Sequence, residues 1–352
     1  MRAIDEDKLM AFVGQVVGDF GAMATAPLVL LGEELGLYRA MADGEPVGAA
    51  ELAASTDTDE RYVREWLCAQ AASGYVAYDG DGRFHLEPEQ AVALTDESSP
   101  ACVLGGFEAF LAMTKAEPRL VDAFRTGTGI GWGEQDAGLF HGTARFFRPG
   151  YEANLISTWL PSLDGVVHRL AEGGRVADVG CGFGHSTMIM ATAFPASRLH
   201  GFDAHAPSID EAAKWAAGAG LANRVQFEVA TAKTMPGRDY DLITYFDCLH
   251  DMGDPVGALQ HSRAALKPDG TVMLVEPFAA DDLRDNINPV GRLFYAASTM
   301  VCTPASKSEE VGAALGAQAG EARMREVAAD AGYSRFRRAS ATPFNIVYEL
   351  RP

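Results

Sequence analysis

The residues best suited to chemistry stand in one short segment, Arg175–Thr187, which carries three alternating glycines. The apolar run from 176 to 179 predicts a buried strand of a parallel sheet. Gly180, Gly182 and Gly184 then allow a sharp turn and let a ligand approach the backbone closely. A helix opens at the end of the segment, where free backbone N–H groups can face a polar ligand. The segment therefore predicts a ligand site at the carboxyl end of a strand.

The spacing of these glycines distinguishes two kinds of ligand. A dinucleotide fingerprint requires G-x-G-x-x-G, but His185 stands where the third glycine would fall. The observed pattern D-x-G-x-G-x-G, which begins at Asp178, resembles motif I of the class I S-adenosylmethionine-dependent methyltransferases. That resemblance implies S-adenosylmethionine as the cofactor, with Asp178, Gly180, Cys181 and Gly182 at its binding site. A strand–turn–helix whose glycines serve no ligand is the alternative.

Three more strand ends supply candidate cofactor residues, because strands and helices alternate from here on as in a parallel α/β sheet. Asp203 ends the second strand, where a carboxylate can accept hydrogen bonds from both ribose hydroxyls of a nucleoside. Its alternative role is that of a surface acid beside a helix. Thr231 and Ala232 follow the third strand, where this fold contacts adenine, although the family often has Asp at position 231. Phe246 ends the fourth strand and is expected to contact the methionine part through its backbone.

His250 is the strongest catalytic candidate, because of the motifs around it. Asp247–Asp254 reads Asp-Cys-Leu-His-Asp-Met-Gly-Asp, Ala264–Gly270 reads Ala-Ala-Leu-Lys-Pro-Asp-Gly, and the next strand ends at Glu276. This order resembles the winged-helix O-methyltransferases of plants and bacteria, whose pattern is L-H-D-W-x-D, a helix, A-L-x-P-x-G and a strand ending in Glu. The resemblance implies that His250 is the general base for a small acceptor, with Glu276 orienting it. It offers Glu321 as a second orienting acid.

The chemistry of histidine fits that role, because it titrates near neutral pH and a hydroxyl attacks better once deprotonated. The alternative for His250 is a hydrogen-bonded structural histidine. Asp247, Asp251 and Asp254 could serve Mg²⁺ with oxygen ligands. Acids so close together on one loop are more often helix caps and surface charges, so no metal is expected. Met252 replaces the tryptophan of the family and changes the surroundings of the site.

The first hundred residues show the order of a winged helix-turn-helix. Asp5–Leu31 has apolar residues at helical spacings, and Asp59–Ala72 predicts a later helix that begins at a capping acid. Tyr75–Leu86 predicts a hairpin with the turn Asp79–Gly82 at its tip. The apolar N-terminal helix predicts a subunit interface and therefore a homodimer, and an ordinary core helix is the alternative.

Charge argues against DNA binding by this region. Residues 1–100 contain six Arg and Lys against nineteen Asp and Glu, a net charge of −13 out of −19 for the whole chain. Phosphate contacts need Lys and Arg, so a dimerisation role is favoured over a DNA reader. The alternative function for the chain is a winged-helix transcriptional regulator whose second domain senses a nucleoside.

Composition bounds the remaining choices. The chain has 352 residues and five cysteines, none in a C-x-x-C pair, which is typical of reduced thiols. The N-terminal residues lack the pattern of a signal peptide, and the weakly polar run Gly21–Gly32 is too short to span a bilayer. These features predict a soluble, cytoplasmic protein that binds no membrane.

The expected fold is an α/β Rossmann-like class I methyltransferase domain, with a central mostly parallel sheet and a C-terminal hairpin, preceded by a mainly helical winged-helix domain. We predict a winged-helix dimerisation domain at 1–100, a helical linker and lid at 101–170, and a cofactor domain at 171–352. A cap insertion is predicted at 279–318. The glycine-rich loop Thr126–Gly133 suits a linker or a lid, and the aromatic residues of Phe140–Tyr151 fit core packing or a pocket wall.

Overall fold

The computed structural model describes residues 3–352, which form two compact units. One unit comprises the chain up to Leu111 together with His141–Pro149, and the other comprises Ala112–Phe140 together with Gly150–Pro352. The predicted domain boundaries at 100 and 170 stay predictions.

The first unit holds the winged helix-turn-helix. Its helices and strands in chain order are α1 (Glu6–Glu34), α2 (Leu37–Ala40), β1 (Val47–Gly48), α3 (Ala49–Thr56), α4 (Glu60–Ala72), β2 (Ala77–Gly80), β3 (Arg83–His85) and α5 (Pro88–Thr95). The strands form a small antiparallel sheet in the order β1-β3-β2. This arrangement confirms the predicted helix–helix–hairpin pattern and adds the short strand β1, which the sequence pattern did not indicate.

Helix α4 begins as predicted, because Asp59 accepts hydrogen bonds from the backbone N–H groups of Arg61 and Tyr62 at 2.9 and 3.2 Å. Its basic side chains are already paired within the helix, Arg61 with Glu65 and Arg64 with Glu60. The helix that would read DNA therefore offers little uncompensated positive charge.

Helix α1 is mostly exposed despite its apolar composition. Asp5 caps its first turn, and Thr25, Val29 and Gly32 are its only buried residues among those described. Its large exposed apolar side chains are Leu9, Met10, Phe12, Val13, Val17, Phe20, Met23 and Leu31. By length and composition α1 could also cross a membrane, which the shorter run Gly21–Gly32 could not. The absence of a membrane partner consequently stays a prediction.

The second unit is built around a seven-stranded sheet. Three helices precede this sheet in the chain: α6 (Leu104–Thr114), α7 (Glu117–Thr126) and α8 (Ala137–Asn154). The strands of the sheet and the helices between them are, in chain order, α9 (Val166–Glu172), β4 (Arg175–Val179), α10 (His185–Ala193), β5 (Arg198–Asp203), α11 (Ala206–Gly218), β6 (Val225–Val229), β7 (Tyr240–Phe246), α12 (Pro255–Ala265), β8 (Leu266–Pro277), α13 (Pro289–Ala297), α14 (Thr303–Lys307), α15 (Gly320–Asp330), β9 (Arg335–Ala341) and β10 (Asn345–Arg351). The strand order is β6-β5-β4-β7-β8-β10-β9. Strands β4 to β8 are parallel, and β10 and β9 add an antiparallel hairpin at one edge, as expected.

Burial follows the position of each strand in the sheet. All seven residues of β7 are buried, because helices cover both faces of a central parallel strand. The edge strand β9 instead exposes Arg335, Arg337 and Arg338, which discourages pairing with another chain.

The segment Lys267–Gly270, part of the Ala264–Gly270 motif, lies within β8, which begins at Leu266. The register of β8 against β7 shifts here, because Tyr240 pairs with Leu266 whereas Leu242 pairs with Thr271. The extra residues form an irregular bulge that keeps the strand continuous.

Candidate active site

The predicted cofactor residues lie at the carboxyl ends of the parallel strands. Val179 pairs with Phe202 of β5 and with Tyr245 of β7, and Asp203 pairs with Val229 of β6. The carboxyl ends of these four parallel strands are therefore level with one another. This is the edge at which ligands bind in open α/β sheets.

Asp178 is fully buried and satisfied by side chains of the protein. Its Oδ2 accepts hydrogen bonds from the hydroxyls of Ser186 and Thr187, both at 2.6 Å, and its Oδ1 accepts one from Thr244 at 2.8 Å. Burial raises the pKa of Asp178, and the three hydroxyls oppose that shift. Asp178 thus ties β4 to the first turn of α10 and to β7, which holds the glycine turn in shape.

The glycine turn needs its glycines for two different reasons. Gly180 has a φ of 70°, and a Cβ added to it would lie 2.7 Å from Cys248 Sγ. Gly182 has a φ of 52°, but a Cβ there would meet no atom within 4 Å. Gly180 therefore packs against the loop after β7, whereas Gly182 faces open space at the edge of the sheet. Cys181, between them, is buried.

Asp203 lies beside this turn. Its Oδ2 accepts a hydrogen bond from the N–H of Gly182 at 2.9 Å, and its Oδ1 accepts one from the N–H of His205 at 2.8 Å. Burial raises its pKa, and these two backbone donors oppose the rise. A carboxylate has about four lone-pair positions, so two remain for hydroxyl donors of a ligand.

The other cofactor candidates occupy the neighbouring strand ends. Thr231 is exposed just after β6, where its N–H donates to Thr234 Oγ1 at 3.1 Å, and Ala232 is buried. Phe246 ends β7 with its ring buried, and its centroid lies 5.1 Å from that of Tyr151 and 6.4 Å from that of Trp159. The ring of Phe246 therefore belongs to an aromatic cluster, which leaves its backbone as the group able to meet a ligand.

His250 and Glu276 are brought into direct contact. His250 lies in the 3₁₀ turn Leu249–Asp251 after β7, Glu276 lies near the end of β8, and both side chains are buried. His250 Nδ1 hydrogen-bonds to Glu276 Oε2. Since the carboxylate can only accept, Nδ1 carries the proton, and Nε2 is the ring nitrogen directed away from Glu276. A neutral His250 in this tautomer would have its free lone pair on Nε2.

A second acid stands on the other side of the imidazole. His250 Nε2 lies 3.0 Å from Asp251 Oδ1. Burial alone would lower the pKa of His250, but the negative charges of Asp251 and Glu276 outweigh it and raise that pKa well above 6.5. The expectation of an ordinary histidine that titrates near neutral pH is therefore corrected to that of a stronger base.

The acid suggested at position 321 does not serve this histidine. Glu321 lies on α15 and pairs with Arg325 and Arg338, each at 2.8 Å. Asp251, the residue next to His250 in the chain, is the second acid in contact with the imidazole. The family resemblance offered Glu321 and not Asp251, whereas the position of Asp251 next to His250 in the sequence could have suggested it.

Asp247 has a buried environment that sequence patterns did not reveal. Its Oδ1 accepts a hydrogen bond from Asn345 Nδ2 at 2.7 Å, and its Oδ2 accepts one from Tyr151 Oη at 3.3 Å. Burial, reinforced by the charge of Glu276, raises its pKa well above 3.8. Its φ of 51° is a left-handed conformation that aspartate tolerates better than most residues. Asp247 thus joins three distant parts of the chain directly beside Phe246.

The three loop acids do not converge on a magnesium site. Asp254 caps α12 through the N–H of Gly257 at 2.8 Å and pairs with Lys233 at 3.0 Å. Asp247 and Asp251 have the separate partners described above. Within residues 3–352, the one group of three or more His, Cys, Asp and Glu side chains spaced to hold a metal ion is His250, Asp251 and Cys302.

The glycine-rich loop lies against the segment 279–318, which is predicted to be a cap. The N–H of Ile130 donates to the carbonyl of Pro304 at 2.9 Å, and a Cβ on Gly129 would lie 2.0 Å from the nitrogen of Ser308. On its other side, Trp132 contacts Phe140, whose ring centroid lies 4.2 Å from that of His205. The loop therefore runs from the neighbourhood of Asp203 to the cap.

Two sequence families match parts of the chain. Residues 170–331 match the family described as a methyltransferase domain, and residues 23–96 match the Rv2258c-like winged HTH domain. The chain combines a winged helix with a methyltransferase domain. This confirms the resemblance that the motifs around Asp178 and His250 indicated.

Two relatives illustrate how far the similarity extends. The chain is 31% identical over 123 residues to the uncharacterized methyltransferase YcgJ of Bacillus subtilis (strain 168), a match that covers 34% of this chain and 47% of that protein. It is 28% identical over 265 residues to O-demethylpuromycin-O-methyltransferase of Streptomyces alboniger, covering 71% of this chain and 68% of that one. The chain thus spans about half of the first relative and two thirds of the second.

Solved structures match this chain almost from end to end. The mitomycin 7-O-methyltransferase MmcR superposes with a TM-score of 0.68 at 20% identity, covering 99% of this chain and 100% of that one. Human N-acetylserotonin methyltransferase in complex with SAM superposes with a TM-score of 0.67 at 16% identity, covering 100% and 99%. The likeness confirms the predicted order of a winged helix followed by a class I methyltransferase fold.

Proposed function

We propose that the protein transfers a methyl group from S-adenosylmethionine to a hydroxyl of a small-molecule acceptor. The observation that carries this proposal is the contact of His250 with Glu276 at the sheet edge that also holds the glycine turn and Asp203. Relatives named as O-methyltransferases support an oxygen acceptor over nitrogen or carbon.

The residues at the carboxyl ends of the parallel strands fit the proposed cofactor. Asp203 keeps two lone-pair positions for ribose hydroxyls, and Gly182 leaves the space beside it open. Thr231 and Ala232 would flank the adenine, and the backbone of Phe246 would meet the methionine part. Asp178, Gly180 and Cys181 would serve mainly by holding the turn. When bound, S-adenosylmethionine supplies an activated methyl group on a sulfonium.

His250 would act on the acceptor side. Glu276 holds Nδ1, so Nε2 is the atom that would take the proton of the acceptor hydroxyl. The carboxylates of Asp251 and Glu276 stabilise the imidazolium that forms. Holding acceptor and cofactor in line would supply much of the remaining acceleration. We place the choice of acceptor in the segments 127–151 and 279–318.

The winged helix is proposed to form a homodimer rather than to regulate transcription. The exposed apolar face of α1 favours a second copy as its cover, and the paired arginines of α4 disfavour DNA. A soluble, cytoplasmic enzyme is part of the same proposal.

Calorimetry with S-adenosylhomocysteine and an assay for its production test this function. We expect binding at sub-millimolar concentration and turnover with at least one member of a panel of phenols, hydroxylated aromatic acids and matched aromatic amines. Binding without turnover would leave the acceptor class open, whereas absence of binding would exclude the cofactor. Turnover with the amines alone would replace the hydroxyl acceptor by nitrogen.

A further inference from the structure

His250 belongs to a cluster of three different metal-ligating groups. One ring nitrogen of His250, one carboxylate oxygen of Asp251 and the Sγ of Cys302 all lie within 4.8 Å of one another. Two of them come from the turn after β7, and Cys302 closes the π-helical turn Ser298–Cys302 in the cap insertion. Ligands of a tetrahedral zinc ion lie roughly 3–4 Å apart, given bond lengths of about 2.0–2.3 Å. A small adjustment of side chains would therefore complete such a site.

The surroundings of His250 also suit a metal ligand. Glu276 holds Nδ1, which directs Nε2 towards Asp251 and Cys302. A carboxylate on the far nitrogen of a ligating histidine is a common feature of zinc sites, because it fixes the ring and strengthens the ligand.

The contact between Asp251 and His250 is the second feature of the cluster. Asp251 Oδ1 is buried, and His250 Nε2 lies 3.0 Å from it, although this contact is too poorly aligned for a hydrogen bond. A proton on Nε2 makes this contact an ion pair, so a metal cation that replaces the proton would keep a positive charge next to the carboxylate.

The three donor types select the ion. Imidazole nitrogen, carboxylate oxygen and thiolate sulfur together suit Zn²⁺ and its analogue Co²⁺, whereas Mg²⁺ and Ca²⁺ prefer oxygen alone. With three protein ligands, the fourth tetrahedral position stays open for water.

We propose that His250 Nε2, Asp251 and Cys302 Sγ form an inhibitory site for zinc-type cations. On binding, the thiol proton of Cys302 and any proton on Nε2 leave to solvent, and the lone pair of Nε2 binds the metal instead of the acceptor proton. Zinc would also tie the cap to the turn after β7. The inhibition, but not the binding, rests on the function proposed above for His250.

Cobalt binding tests the site without an activity assay. The reduced full-length protein, titrated with Co²⁺, should show a cobalt–thiolate absorption band that saturates at one ion per chain and disappears when Zn²⁺ is added. Cys302→Ser should abolish this band. Cys248→Ser should keep it, because Cys248 is close to His250 in the chain but does not belong to the cluster of metal-ligating groups. A band that persists in Cys302→Ser, or no band in the wild type, would overturn the proposal.

Asp251→Asn provides a second variant in case Cys302→Ser fails to fold. Its side chain is partly exposed, so the fold should tolerate the change, and loss of one ligand should weaken cobalt binding at least about 10-fold. Unchanged affinity in this variant would also overturn the site.

Zinc inhibition then separates the two proposals. Each variant is compared with its own rate without zinc, and half-inhibition should require more zinc in Asp251→Asn than in Cys248→Ser. A thiolate band that depends on Cys302 in a protein without methyl transfer would refute the proposed function and keep the metal site. Methyl transfer in a protein without the cobalt–thiolate band would refute the metal site and keep the proposed function.

Discussion

The backbone N–H of Gly182 donates to Oδ2 of Asp203 at 2.9 Å, so the turn after β4 and the acid after β5 are held together. The same carboxylate accepts a second backbone hydrogen bond from His205. A ligand that binds Asp203 therefore meets a side chain whose position is set before binding.

Replacing Asp203 should weaken cofactor binding. Loss of hydrogen bonds to a charged group costs about 1.5–3 kcal/mol, so Asp203→Ala should lower the affinity for S-adenosylhomocysteine roughly 10- to 100-fold by calorimetry. Asp210→Asn, on the exposed face of α11, is the matched control and should bind normally. Equal affinity of wild type and Asp203→Ala would exclude the ribose role.

The pH dependence of cofactor binding should also identify Asp203. Burial raises its pKa above 3.8, so protonation removes the negative charge at a higher pH than for an exposed aspartate. Affinity should stay constant above that pKa and fall as the pH drops through it. Asp203→Asn should bind the cofactor weakly, and its affinity should change little over the same pH range. A pH dependence in this variant equal to that of the wild type would assign the titration to another group.

The rate of methyl transfer should rise with pH. His250 must be neutral to accept a proton, and its raised pKa keeps it protonated until the pH is well above 6.5. Glu276→Gln removes one of the charges that raise this pKa, so the midpoint of the profile should move to lower pH.

His250→Ala provides the corresponding loss of function. It should lose about 10²–10⁴-fold in kcat, by analogy with other general bases, and keep its affinity for S-adenosylhomocysteine. A profile unchanged by Glu276→Gln, or full turnover of His250→Ala, would remove His250 as the base.

Two glycines of the same turn should respond differently to alanine. Both have left-handed backbones, which cost about 1–2 kcal/mol with a side chain. Only Gly180→Ala also creates a clash, because its Cβ would lie 2.7 Å from Cys248 Sγ. This clash should lower the free energy of unfolding by a further 1–3 kcal/mol, roughly. Gly182→Ala should stay folded and instead weaken cofactor binding. Equal destabilisation in urea titrations would contradict this distinction.

The exposed face of α1 should mediate dimerisation. Phe12 and Phe20 are 62% and 64% exposed, and burying such apolar side chains is a main driving force of association. Phe12→Glu combined with Phe20→Glu should convert a dimer to a monomer by light scattering. Phe124→Glu, at another exposed phenylalanine on α7, should leave the mass unchanged. A monomeric wild type would refute the interface.

The sequence predicted the sheet and its ligand edge because their signals are local. Buried apolar runs, the glycines after Val179 and the acid that ends β5 each lie within a few residues, and the alternation of strands and helices indicates a parallel sheet. The family resemblance, and not a local signal, paired His250 with Glu276. In the structure, His250 lies in the turn after β7 and Glu276 lies near the end of the neighbouring strand β8.

Long-range packing accounts for what the sequence could not predict. Tyr151 and Asn345 lie 96 and 98 residues from Asp247 in the chain, and no spacing rule connects them. Cys302 reaches His250 from an insertion without a regular pattern. Burial lowers the pKa of His250, but the charges of Asp251, its neighbour in the chain, and of Glu276 raise it, so the shift depends on which groups surround the ring and not on the residue type.

The hydrogen bond from Ile130 to Pro304 joins the two segments that we propose to select the acceptor, so mutations meant to change the acceptor affect both segments at once. The backbones of the glycine-rich loop and the cap fit so closely at Gly129 that neither has room for a new side chain there. Libraries that vary one segment alone should therefore lose folded protein before they gain new acceptors. Exchanging both segments together, from one parent enzyme, would preserve the fit.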